Sequence, residues 1–174
     1  MKKARFLGTC LVLFAVLLIT WRGTDGARWY TDALLVSAGA VGPMMHGWIL
    51  ETDPSHSTPT WVNGSNQVQL SLQFDALAVG LVPLLALLAA TPGLGVRRRV
   101  TLMLIGGVLN FLVDTLIVAL FPLLVFYKNP LTDVLGTFLG LIAFVGAPVI
   151  IWFALTFREL QHLLPSLRPQ LPAS

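Results

Sequence analysis

Residues 29–50 read WYTDALLVSAGAVGPMMHGWIL, and whether they cross a bilayer sets the side on which every later segment lies. The stretch is long enough to cross, yet it carries Thr31, Asp32, Ser37, Gly39, Gly42, Pro43, His46 and Gly47. Loops on the cytoplasmic side of membrane proteins are enriched in Lys and Arg, so the basic residues arbitrate. If 29–50 stays on the far side, Lys2, Lys3, Arg5, Arg97, Arg98, Arg99, Arg158 and Arg168 are cytoplasmic. Only Arg22, Arg28 and Lys128 then lie outside, a split of 8 to 3. If it crosses, the split becomes 4 to 7 against the rule. The sequence therefore predicts that 29–50 does not cross.

Working outward, four other stretches are apolar enough to span. The first, Phe6 to Trp21, follows the basic start Met1-Lys2-Lys3-Ala4-Arg5. At about 24 Å it is slightly short of a ~30 Å hydrocarbon core, a gap that snorkelling lysines and Trp21 can absorb. Asp25-Gly26-Ala27 is a poor cleavage site, so the segment reads as an uncleaved anchor. The others are Ala76 to Ala90, Val100 to Phe126 and Leu131 to Phe157, each with an internal proline (Pro83, Pro122, Pro148). Composition agrees: 56% of the 174 residues are hydrophobic, 11% are charged, and mean hydropathy is +0.81. A soluble domain carries about 25% charged residues. The net charge of +3 does not point to nucleic acid, because the basic residues cluster at the ends of apolar runs.

The expected fold is an all-α membrane protein with four transmembrane helices. Residues 1–21 form the anchor span, 22–75 an external segment, 76–157 a three-helix membrane bundle and 158–174 a cytoplasmic tail. Both termini are cytoplasmic. In the external segment, 29–50 reads as a helix lying in the interface, or dipping in and back out, anchored by Trp29, Tyr30 and Trp48. A small β-hairpin follows. Gln67 to Phe74 alternates strictly, with Val68, Leu70, Leu72 and Phe74 on one face. Asn63-Gly64 signals a type I′ turn after Thr60-Trp61-Val62. The apolar residues Trp61, Val68, Leu70, Leu72 and Phe74 are the expected partner-binding set, since an isolated hairpin is marginal without something to cover it.

Chemistry-bearing residues are sparse. Asn110 and Asp114 stand four apart on one face of the third span with Gly106. An ionised carboxylate near mid-span costs about 2.5–3.5 kcal/mol on insertion scales, so it pairs, protonates or serves a polar pathway. Asp133 and Asp75 read as helix-start residues favoured by the dipole. His46, His56 and His162 are dispersed, and no spacing suits a metal. The lone Cys10 rules out a disulfide within the chain. No nucleophile elbow, Walker loop or dinucleotide fingerprint is present. Gly136-x-x-x-Gly140 with Ala143 and Ala147 marks a stripe for close helix packing. No catalytic residue, metal or cofactor is expected.

One passage resembles a known group. Val68-Gln69-Leu70-Ser71-Leu72-Gln73-Phe74-Asp75-Ala76-Leu77, then Gly80-Leu81-Val82-Pro83-Leu84-Leu85-Ala86-Leu87-Leu88-Ala89-Ala90-Thr91-Pro92 and the arginines that follow, is similar to the small membrane proteins encoded beside exosortases, notably the exosortase H-associated type. The resemblance covers residues 66 to 120. It implies a bacterial inner-membrane accessory to a protein-sorting system, with membrane lipid and an exosortase-like enzyme or its substrate as partners. Exosortases use a cysteine, an arginine and a histidine near the outer face. Cys10 lies near the cytoplasmic end of the first span, with no histidine beside it, so no catalytic residue carries over. The expectation is a non-enzymatic accessory protein that binds a partner through its external segment. The alternative is a small transporter or channel subunit built around Asn110 and Asp114.

Overall fold

The computed structural model describes residues 2–52, 59–69, 74–126, 134 and 145–163. The described elements are α1 (Lys2–Gly23), α2 (Gly26–His46), β1 (Ile49–Glu51), β2 (Thr60–Asn63), β3 (Asn66–Gln69), α3 (Phe74–Ala90), α4 (Val96–Phe126) and α5 (Ala147–Leu163). The helical class is as expected. Two of these helices, Phe6–Gly23 within α1 and Val96–Phe126, are long and apolar enough to cross a membrane, rather than four. The apolar part of α3, Gly80–Ala90, is shorter. Most of the expected fourth span, along with Asp133, His56 and the Gly136/Gly140 stripe, lies outside the described residues. Its far end is seen as α5, which runs beyond Phe157 into the expected tail.

The axis of the molecule is α4. Its 31 residues extend about 46 Å at helical rise. Leu102, Gly106, Asn110, Asp114, Ile117, Val118 and Pro122 form its buried stripe, the 3.6-residue period written in the sequence. Around it the other elements sit at two levels. At the first level, Leu84 and Leu88 of α3 and Leu155 of α5 close on Gly106. A Cβ there would meet Leu88 Cδ1 at 2.9 Å, so glycine is what lets three helices approach. At the second level, Leu34 and Ala38 of α2 and Trp48, Trp61 and Val68 of the sheet region pack on Ile117, Val118 and Ala119.

Helix α2 departs from the expectation for 29–50. Tyr30 near its start meets Asp114, and Trp48 just past its end lies 5.2 Å from Phe126. The helix therefore runs alongside the second half of α4 and does not lie flat across the ends of the bundle. The reason is two-sided apolarity. One side, with Leu34 and Ala38, is buried on α4, and the other leaves Trp29, Val36 and Met44 exposed. Gly47 ends the helix in the left-handed conformation (φ 73°) that glycine adopts without a Cβ clash.

The hairpin is real but differs in three respects. Its strand spans Asn66–Gln69, not Gln67 to Phe74: Phe74 opens α3, placing Asp75 within the first turn rather than at the cap, and Leu70 and Leu72 lie outside the described residues. The turn residues are Gly64-Ser65, closed by the Asn63↔Asn66 pair, with positive φ at Gly64 alone (60°). That is a type II′ pattern, with glycine first, instead of the expected type I′. Finally, β1 adds a third antiparallel strand in the order β1-β2-β3. Opposed residues share a face, so Leu50, Trp61 and Val68 form one cross-strand row. That row turns inward, with Leu50 against Gly39 of α2 and Trp61 fully buried. The sheet is a cap on the C-terminal half of α4.

Candidate functional site: a buried Tyr–Asn–Asp cluster

Asn110 and Asp114 occupy successive turns of one face of α4 and are 0% and 1% exposed. The sequence paired them, and the structure adds a third member. Tyr30 Oη donates to Asp114 Oδ2 at 2.6 Å, and Asn110 Nδ2 donates to the same oxygen at 2.8 Å. Asn110 Nδ2 also lies 3.4 Å from Tyr30 Oη. The phenol is fixed by edge-on contacts with Phe111 (5.5 Å) and Trp21 (5.9 Å). One carboxyl thus ties the start of α2 to the middle of α4, and the end of α1 joins through the Trp21–Tyr30 ring contact. Hydrogen bonds between helices inside a membrane average about 0.6 kcal/mol, with about 1.7 at most.

Sequence reading assigned Tyr30 to the interface. It sits 84 positions from Asp114, and no local period links the two. A weak signal existed: a buried carboxylate needs donors, and Tyr30 is a donor four and eight residues before Leu34 and Ala38, on the face of α2 that is buried.

The cluster is closed. The open recess of ≈660 Å³ lies elsewhere, at Gly95, Val96, Arg97, Arg98, Thr101 and Leu102. Among the described residues no three His, Cys, Asp or Glu side chains converge on a common point. The arrangement offers hydrogen bonds and a proton position.

A second polar knot joins the helices at the opposite end. Trp152 Nε1 of α5 donates to Thr91 Oγ1 at 2.9 Å, Thr91 Oγ1 donates to the Leu87 carbonyl at 2.7 Å, and Arg99 Nη2 donates to the Thr91 carbonyl at 3.3 Å. Phe6 stacks on Trp152 at 6.2 Å, and Arg98 pairs with Glu159 at 2.6 Å. Thr91, just past the end of α3, is therefore the junction of α3, α4 and α5, with Phe6 of α1 stacked on its partner Trp152.

The expected partner-binding set needs correction. Trp61 (0% exposed) and Val68 are spent on the protein's own core, so the inner face of the sheet is not available to a partner. Phe74 belongs to α3. The exposed apolar residues beside the sheet are instead Val36, Met44 and Met45 of α2 and Ile49 of β1. Comparison with protein-family models, curated proteins and solved structures gives no match.

Proposed function

We propose that this chain is a non-enzymatic multi-pass membrane protein that holds a partner membrane protein against its external head. The reading takes α1, α3, α4 and the segment ending in α5 as four crossings, with both termini cytoplasmic in a bacterial inner membrane. Several features support it. The apolar helix window Phe6–Gly23 is 0% buried, unlike the core helix of a soluble protein. Leu104, Val108 and Leu112 of α4 and Ile150, Phe153 and Phe157 of α5 are likewise exposed. Such a belt is what lipid contact requires.

Depth along α4 supports a head outside the lipid. With Arg97–Arg99 at the inner interface, Asp114 stands about 21 Å above Val100, and the exposed Arg22, Arg28 and Asp32 beside Trp21 and Tyr30 put the outer edge of the hydrocarbon near this level. Tyr30 is level with Asp114, so Met44 lies roughly 21 Å farther out at helical rise, beyond the lipid. What carries the proposal is the exposure of Met44 (89%) near the far end of α2 and of Ile49 (59%) on β1, which this reading puts beyond the lipid. Apolar residues so placed are not covered by lipid or by the head's own core. The resemblance to exosortase-associated proteins supplies the partner class, an exosortase-like enzyme or its substrate.

Photocrosslinking from positions 44 and 49 in membranes co-expressing such an enzyme tests the reading. A specific adduct from both positions, absent from lipid-facing position 104, is the expected result. Equal labelling from all three, or none, overturns it.

The second reading, a transporter or channel subunit, draws on Asp114 as a carboxyl at membrane depth. The near-complete burial of Asn110 and Asp114 favours it less.

A further inference from the structure

Both donors at the cluster converge on one oxygen, Asp114 Oδ2. Asp114 Oδ1 and Asn110 Oδ1 are buried and have no hydrogen-bond partner among the described residues. Two acceptors without a donor, on side chains almost wholly buried, are uncommon in a native fold, because each costs about 1–3 kcal/mol. Turning the Asn110 amide over only moves the deficit, since its oxygen would then face Asp114 Oδ2, acceptor against acceptor. The site is short of one positive hydrogen.

We propose that the Tyr30–Asn110–Asp114 cluster is a proton-binding site, with Asp114 held as the neutral acid. This rests on the membrane-spanning reading of α4 given above. One proton turns Asp114 from a pure acceptor into a donor and removes the charge from the apolar stripe. Among the described residues no cation does so instead. From α2 only Tyr30 faces Asp114, while Arg28 and Asp32 are exposed. From α1, Trp21 reaches this level and Arg22 is exposed. Between Val100 and Phe126, α4 has no other charged residue, and Gly80–Ala90 of α3 has no titratable one. Asp75 sits in the first turn of α3, Glu51 of β1 is exposed, and Glu159 of α5 pairs with Arg98 at the other end. A hard metal ion takes about six oxygen ligands, and two free oxygens with one phenol fall short.

The test is infrared difference spectroscopy of the full chain in nanodiscs at neutral pH, wild type minus Asp114→Asn. A carboxylic-acid carbonyl band that is lost in Asp114→Asn, shifts in D₂O and ignores added NaCl or KCl is expected. Asp114→Asn, whose amide offers the same donor and acceptor, should keep wild-type resistance to SDS unfolding, whereas Asp114→Ala loses it. A carboxylate band in place of the acid band, or an acid band that disappears with added Na⁺, overturns the proposal. If Asp114→Asn does not fold, NMR of wild-type chain labelled at the aspartate carboxyl carbons decides the matter. One carboxyl must then stay protonated through neutral pH. A carboxylate signal in a chain whose Ser65 and Ser174 label on opposite membrane faces removes the proton and leaves the topology standing.

Discussion

Tyr30→Phe is the sharpest probe of how α2 is held. The substitution keeps the ring that packs edge-on against Phe111 and Trp21, so the apolar contacts and the volume are conserved. Only the hydroxyl that donates to Asp114 Oδ2 at 2.6 Å is removed. Asp114 then retains the single donor Asn110 Nδ2. A neutral hydrogen bond contributes about 0.5–1.5 kcal/mol, and one to a charged group about 1.5–3. Interhelical bonds in membranes fall at the lower end, up to about 1.7. With Asp114 neutral, the expected loss is about 1 kcal/mol, a roughly fivefold fall in the folded-to-unfolded ratio. Reversible SDS unfolding of the purified chain reads this out, with Trp21 beside the phenol as a fluorescent reporter. The cluster acts as a unit, so Tyr30→Phe combined with Asn110→Ala should depart from additivity by about 0.5 kcal/mol or more. A Tyr30→Phe variant as stable as wild type, with strictly additive double mutants, would refute the claim that this hydrogen bond anchors α2.

Two further outcomes bear on the frame around the site. Gly106→Val places side-chain atoms where Leu88, Leu84 and Leu155 already meet, and should cost about 1–3 kcal/mol through overpacking. Gly107→Ala, where the nearest neighbouring atom is 3.9 Å from a built Cβ, is the control expected to fold like wild type in the same SDS assay. Single cysteines at Ser65 and Ser174, in a Cys10→Ser background, should react with membrane-impermeant maleimide from opposite sides of the inner membrane. Labelling of both from one side contradicts the four-crossing topology.

The residues show where legibility stopped. Gly106, Asn110 and Asp114 lie on one helical face, a consequence of the 3.6-residue period that needs no other segment to establish it. The ends of α1, the apolar run into Thr91 and the hairpin near Asn63-Gly64 were readable for the same reason: each is decided by chemistry within a few residues. Turn register already was not. Placing the turn at Gly64-Ser65 depends on Asn63 pairing with Asn66, and that pairing follows from which face of the sheet must carry Trp61 and Val68 inward. Strand β1 escaped notice because three residues show no usable period, and it forms only because β2 offers it an edge.

The amino-acid sequence by itself determined that this is a lipid-compatible helical chain, with one polar face at mid-span and a small β element outside the helices. Hydrophobic patterning and turn chemistry are local, so they are carried by the chain alone. The tertiary structure decided what those pieces do to one another. It laid α2 along α4, gave Asp114 its donor from Tyr30, and used Trp61 and Val68 as core instead of as a surface for a partner. Those outcomes depend on burying one apolar surface against another and on finding donors for a buried carboxyl. Both are properties of residues brought together from distant parts of the chain.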